Sequence, residues 1–220
     1  MEKFHRYRWD WIINRIGTGK KVLNLGGIAK EEKAKIEARN NKVVDIDFFD
    51  RGSDIIANLE NGIPQKDNSY DVVIAGEIIE HMTNPIFFVV ECHRVLKDNG
   101  IFVLTTPNIC GIKSRIYMIF GKLPSNCANA YSSHLKDFNV KLLKKIVSEC
   151  GFNIKDEDTK VISLSPNRLI KWEFSLYFPF NIGNFADNIF IIGIKRDKMN
   201  LSKETEHCLE YYSRLTDYRK

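Results

Sequence analysis

"SYDVVIAGEIIEHMTNPIFFVVECHRVLKDNGIFVLTTPN", residues 69–108, decides the fold. Its opening, "DVVIAG" (71–76), is a near-continuous apolar run, as expected of a strand covered on both faces. The turn-forming "QKDNS" (65–69) precedes it. Residues 84–97 follow as a helix with Ile86, Phe87, Val90, Cys92 and Val95 on its apolar face. "KDNG" (97–100) closes that helix, and Gly100 suits the left-handed C-terminal position. "GIFVLTTPN" (100–108) is a second buried strand. Strand, helix and strand in this order make a right-handed parallel crossover.

The same alternation continues on both sides. Upstream, Phe4, Tyr7, Trp11, Ile12 and Ile16 recur at helical spacing over residues 3–16, and Gly17 and Gly19 end that helix. "KKVLNLG" (20–26) is a short apolar strand, 29–40 a charged helix, "KVVDIDF" (42–48) a second strand, and "SDIIANLE" (53–60) a short third one. Downstream, residues 137–150 form a helix with Phe138, Val140, Leu142, Leu143, Ile146 and Val147 as its apolar positions. "GFNIKDEDTKVISLS" (151–165) and "NIFIIGIKR" (188–196) are further strands, the last placed for antiparallel pairing. Residues 199–220 are polar and read as a final helix capped by Ser202. Strands alternating with helices give an α/β fold with a mostly parallel sheet.

Composition narrows the classes. The chain has 220 residues, 44% hydrophobic and 28% charged, which is ordinary for a globular domain with a proper core. Thirty-three basic and 28 acidic residues leave a net charge of +5. That is mild, and no basic run is interleaved with aromatics, so no nucleic-acid partner is expected. Five cysteines, none with CxxC spacing, argue against a disulfide frame or a zinc site, and no metal is expected. "MEKFHRYRWDW" (1–11) has no apolar signal core, and no apolar run approaches the length of a membrane span. The expectation is a cytoplasmic protein.

In an open parallel sheet, ligands bind beyond the carboxyl ends of the strands, beside the first strand. "NLGGIAK" (24–30), "DIDFFD" (45–50), "ANLENG" (57–62) and "AGEIIEH" (75–81) all end there. Asp47 stands 21 residues after Gly26, where an acid can accept hydrogen bonds from both hydroxyls of a ribose. Gly26 and Gly27 let backbone approach a ligand closely.

At these residues the chain resembles the class I S-adenosylmethionine-dependent methyltransferases, small-molecule type. The resemblance runs from about residue 20 to 107 and more weakly to about 195. Its pieces are "DNSYDVV" (67–73), "EIIEH" (77–81), "RVLKDNG" (94–100) and "TTPN" (105–108), in order and at family spacing. It implies a Rossmann-like, doubly wound, mostly parallel seven-stranded sheet with an antiparallel edge strand. It implies one domain over 1–198, with an N-terminal helix at 1–18 and an acceptor-side insertion at 108–136, then the tail at 199–220.

The implied cofactor is S-adenosyl-L-methionine. Asn24, Gly26 and Gly27 would approach its methionine part. Asp47 would hold the ribose and Phe48 would lie beside the adenine. Asn58 and Leu59 would face the adenine edge, Gly76 and Glu77 would line the methionine end, and His81 would lie near the methyl-transfer region. The implied reaction is direct displacement of a methyl group onto a small-molecule acceptor such as a sugar, quinone or lipid-linked intermediate, with O-methylation favoured. A base is needed only for a weak nucleophile such as a hydroxyl, and His81 and His134 are the catalytic candidates.

The opening loop departs from the family pattern of an acid followed by G-x-G-x-G. Asn24 replaces the acid, and Ile28 and Lys30 replace the later glycines. This keeps a second reading open, a methyltransferase-like scaffold or binding domain with a degenerate loop. A nicotinamide oxidoreductase would need a fuller glycine fingerprint, and "GTGKK" (17–21) lacks the spacing of a phosphate loop. In "HRYRW" (5–9), Tyr7 and Arg8 are either one face of a surface helix or contacts to the methionine carboxylate. "IKSRIYMIFGK" (112–122) is amphipathic, fit to cover the site or to touch a membrane surface. "IKWEFSLYFPFNIGNF" (170–185) is aromatic-rich, either core or an apolar acceptor pocket.

Overall fold

The computed structural model describes residues 2–124, 127–164, 174–196 and 198–217. The stretch that set the fold forms β4 (Tyr70–Gly76), α3 (Pro85–Val95) and β5 (Leu96–Pro107). Before it come α1 (Glu2–Ile13), β1 (Lys21–Leu25), α2 (Lys30–Glu37), β2 (Lys42–Asp47) and β3 (Ile55–Ile56). After it come α4 (Ile112–Ile119), α5 (Val140–Glu149), β6 (Phe152–Asp158), β7 (Val161–Leu164), β8 (Phe174–Tyr177), β9 (Asn188–Lys195) and α6 (Lys203–Asp217).

Seven strands form one sheet in the order β3-β2-β1-β4-β5-β9-β6. The five strands from β3 to β5 run parallel. The antiparallel strand is β9, one place in from the edge, because it pairs on one side with β5 and on the other with β6. The chain steps outward from β1 through β2 to β3, then returns to the other side of β1 at β4. The switch point therefore lies between β1 and β4. A separate two-stranded ribbon pairs β7 with β8.

Both faces of the sheet are covered, which is why its strands read as apolar throughout. Val22, Val72, Ile74, Val103, Phe190 and Ile192 face α1 and α2, where Trp9, Trp11, Ile12, Ile16 and Ile36 are buried. Leu23, Leu25, Val73, Ala75, Phe102, Leu104, Ile189 and Ile191 face α3 and α5. Leu201, Cys208 and Leu209 add the start of α6 and its approach to that second cluster. Asn84 caps α3, accepting from the Phe87 amide, with Pro85 in the first turn where its missing N–H is harmless. Asn139 caps α5 the same way, and Ser202 Oγ accepts from the Thr205 amide at the start of α6.

Three local expectations are corrected. The apolar face of α3 is Ile86, Phe88, Val89, Cys92 and Val95, with Phe87 and Val90 only partly buried. "IFFVV" is apolar at every position, so its sequence does not fix the phase of the helix. Leu142 of α5 is largely exposed. The left-handed residue after α3 is Asn99 (φ 60), not Gly100. Gly100 is required for space instead, since a Cβ there would sit 2.7 Å from the Lys97 carbonyl oxygen.

Candidate functional site

The carboxyl ends of β1, β2 and β4 converge at the switch point, and each contributes one part of the site. After β1, Gly26 (φ 95) and Gly27 (φ 81) take left-handed backbone that other residues adopt only with strain. A Cβ on Gly27 would lie 2.6 Å from Asp47 Oδ2. Glycine there lets the loop run directly over the carboxylate at the end of β2. Asp47 is 7% exposed, and its Oδ1 accepts from the Phe48 amide. Phe48 and Phe49 stand exposed beside it, edge to face at 5.0 Å. Asn58 caps the short turn Leu59–Asn61 by accepting from the Glu60 amide, and Leu59 is buried beneath.

Asn24 is not aimed into this opening. It is buried inside the sheet, and its amide donates to Asp45 Oδ1 at 2.7 Å. Burial raises the Asp45 carboxyl above its usual range. Ile28 packs partly against the apolar cluster under α1, which explains a bulky residue after two glycines.

The turn after β4 gathers the titratable groups. Glu77 has φ 56, a left-handed conformation that costs an ordinary residue about 1–2 kcal/mol. Thr105 holds it there twice: the Glu77 amide donates to the Thr105 carbonyl, and Thr105 Oγ1 donates to Glu77 Oε1, each at 2.9 Å. Strain of this kind persists where the surrounding structure over-determines it, typically at a functional site. Glu80, 2% exposed, accepts from Thr106 Oγ1 at 2.9 Å. Burial pushes both carboxyls up to about 7, and for Glu77 the charge of Glu80 adds to it.

Arg8 of α1 works against that shift in both carboxyls. Its Nε is buried and lacks a hydrogen-bond partner among the described residues. α1 buries Trp9, Trp11 and Ile12 against the sheet and leaves Arg6 and Asp10 exposed on its outer face. Tyr7 is committed elsewhere, donating to Asp158 Oδ2 at 2.8 Å.

His81 and His134, distant in sequence, are brought together with ring centroids 4.8 Å apart. The Leu135 and Lys136 amides both donate to the Glu80 carbonyl, which ties the 127–139 segment over the β4 turn. His81 Nδ1 lies 2.9 Å from the Ser133 carbonyl oxygen. Glu80 is the residue that sequence reasoning passes over. Its signal is an acid three residues after Glu77 and next to His81, directly beyond a buried strand.

Other expectations fall outside this centre. Among the described residues, a shallow groove of about 410 Å³ starts at Asn58 and leads away past Pro64 to Glu91 and Arg94. Arg94 is spent there on Glu91, Asp67 and two carbonyls, so the groove is structural. The helix α4 leaves Ile116, Met118 and Ile119 exposed, with Phe120 and Leu123 beyond it. Of the aromatic stretch 170–185, Trp172 lies outside the described residues, while Tyr177, Phe180 and Phe185 are exposed and Phe178 is half-buried. All five cysteines are free thiols. No helix among the described residues is long and apolar enough to cross a membrane.

A family model described as "Methyltransferase domain" matches residues 22–104, from β1 to β5. A Mycolicibacterium smegmatis protein named as a probable S-adenosylmethionine-dependent methyltransferase is 34% identical over 95 residues, 43% of this chain and 33% of that one. The ubiquinone biosynthesis O-methyltransferase of Pseudomonas aeruginosa is 25% identical over 86% of this chain and 84% of its own length. The chain thus spans a third of the first relative and most of the second. A solved S-adenosylmethionine-dependent methyltransferase from Archaeoglobus fulgidus shares the fold, with TM-score 0.60 and 15% identity over 89% of this chain and 95% of that one. The sheet order and the switch-point glycines agree with the matched segment: over residues 22–104 the chain is similar to the S-adenosylmethionine-dependent methyltransferases, and it shares their fold.

Proposed function

We propose that this protein methylates an oxygen atom of a small-molecule acceptor, using S-adenosylmethionine. The observation that supports the reading is the strained Glu77 turn, where Ile78 lies against the glycine loop at Gly26 and the chain runs on into Glu80 and His81. When bound, the cofactor supplies a methyl group activated on a sulfonium. The residues fit it. Gly27, with no Cβ to press on the Asp47 carboxylate, keeps that carboxylate in place for the hydroxyls of a ribose to donate to. Arg8 Nε, buried without a partner among the described residues, suits the methionine carboxylate. Gly26, Gly76 and Glu77 line the methionine end, Glu77 with its charge toward an ammonium group. Phe48 flanks the adenine, and Asn58 and Leu59 edge it.

The chain's own work is to hold the acceptor in line, exclude water and accept a hydroxyl proton. His81 and His134 are the groups placed for the proton. The insertion at 108–136, whose Leu135 and Lys136 amides donate to the Glu80 carbonyl, is the acceptor side of the domain covering 1–198. Its exposed Ile119 and Phe120, beside Lys113, Arg115 and Lys122, favour an apolar or lipid-linked acceptor of the quinone kind, met at a membrane surface from the cytoplasm.

A second reading, a non-catalytic binding domain, is favoured by Asn24, which spends its amide on Asp45 and brings no charge to the loop. Methyl transfer from radiolabelled S-adenosylmethionine to a panel of catechols, hydroxyquinols and sugars separates the two. Label transferred to any of them, and lost in His81→Ala, supports the enzyme. Tight S-adenosylhomocysteine binding with no transfer across the panel favours the binding domain.

A further inference from the structure

We propose that Glu80, His81 and His134 form a site for a divalent first-row cation, and that the cation's open positions take two oxygens of a catechol or vicinal-diol acceptor. Each of the three residues places one potential ligand atom within 4.8 Å of the others. Two ligands about 2.1 Å from one metal lie at most about 4.2 Å apart, so rotations that move these atoms by about 1 Å close the set. Two imidazoles and one carboxylate make a facial set suited to manganese, cobalt or zinc, with positions left for substrate or water.

The surroundings are arranged as ligand supports. A carbonyl oxygen only accepts, so His81 Nδ1 donates to Ser133, which leaves Nε2 as the ring's ligand atom. A metal-bound histidine is usually oriented in this way, with its other nitrogen on a backbone carbonyl. Thr106 fixes the Glu80 carboxylate, a second such support. The Leu135 and Lys136 amides on the Glu80 carbonyl fix the segment that carries His134. Glu80 is deeply buried while His81 and His134 are only partly so, which leaves one side of the set open to an acceptor. The choice of acceptor rests on the methyl-transfer reading, whereas the cation site does not, and with the cation bound it is the cation, in place of the two histidines, that would acidify the acceptor hydroxyl, whose proton would pass to water.

The test is titration of the tag-free full-length chain with Mn²⁺, followed by electron paramagnetic resonance and calorimetry without cofactor or acceptor. The expected result is one saturable site, weakened at least tenfold by His81→Ala, by His134→Ala and by Glu80→Gln. Thermal melts check that each variant folds. If the buried Glu80→Gln does not fold, His134→Ala and the visible band of bound Co²⁺ still decide. Pyrocatechol is then expected to bind the Mn²⁺-loaded chain at least tenfold more tightly than the metal-free chain, and phenol is not. No saturable binding of Mn²⁺, Co²⁺ or Zn²⁺ below about 1 mM overturns the site, as does binding that all three substitutions leave unchanged. Metal binding without any S-adenosylhomocysteine binding would sink the methyltransferase reading alone.

Discussion

Replacing Gly27 with alanine perturbs the cofactor loop at one atom, and the structure sets the size of the effect. The backbone there has φ 81, so an alanine costs about 1–2 kcal/mol of conformational strain. Part of this, about 0.4–1 kcal/mol, is offset because alanine restricts the unfolded chain. The new Cβ would also sit 2.6 Å from Asp47 Oδ2 and 3.2 Å from its Cγ, so the carboxylate must move. On the proposed reading, a displaced Asp47 gives up charge-assisted hydrogen bonds to the ribose, about 1.5–3 kcal/mol in affinity, or about 10- to 150-fold. Gly19→Ala is the control. Gly19 has φ 67 but nothing within 4 Å of the Cβ that alanine would add, so it carries the strain without the clash. Urea unfolding is expected to show a similar loss of about 1 kcal/mol for both variants. Calorimetry with S-adenosylhomocysteine is expected to show weakened binding only for Gly27→Ala. Equal affinity in the two variants would refute the contact between the loop and the ribose acid.

Three further outcomes follow from packing and burial. Ile28→Gly is expected to lower stability by about 1–2 kcal/mol, from the half-buried contact with the α1 cluster, while leaving cofactor affinity within about threefold; a tenfold loss of affinity would mean that Ile28 touches the cofactor. A thiol reagent at pH 8 is expected to label Cys110 and Cys208 in the folded chain, but Cys92, Cys127 and Cys150 only after unfolding. Burial encloses all three and pushes the Cys150 thiol up to about 12, so rapid labelling of all five contradicts the packing. Burial also lowers the pKa of His93, which meets the Arg196 carbonyl, so the folded chain binds fewer protons there than the unfolded one. Its stabilising share is present above the ordinary histidine range and lost as pH falls through it. Urea titrations at pH 8 and 5 should therefore show a smaller acid loss in His93→Gln than in wild type, and an equal loss would be contrary.

Much of the fold is written in residues 69–108, because a strand buried on both faces leaves a continuous apolar signature and a helix between two of them needs a right-handed crossover. The order of the outer strands is not. β9 is apolar enough to be an edge or an interior strand, and only its pairing with β5 on one side and β6 on the other sets it inside. Gly27 and Asp47 can be named from spacing, but their contact cannot, since it depends on the register of Leu25 against Ile46. His81 and His134 stand out through the family pattern. Their meeting depends on amides of Leu135 and Lys136 finding one carbonyl, which no residue pattern encodes. Glu80 escapes a sequence reading because an acid beside a histidine is common on surfaces, and only burial sets this one apart. Asn24 misleads for the converse reason: a polar residue at a strand end reads as facing the ligand, and this one faces a buried aspartate.

The central claim is that S-adenosylmethionine binds at the switch point with Asp47 on its ribose, and calorimetric titration of wild type and Asp47→Ala tests it most directly. The predicted result is one saturable site per wild-type chain and a loss of about 1.5–3 kcal/mol in the variant, with its fold intact by thermal melting. No saturable heat with wild type, or an unchanged dissociation constant in Asp47→Ala, would contradict it.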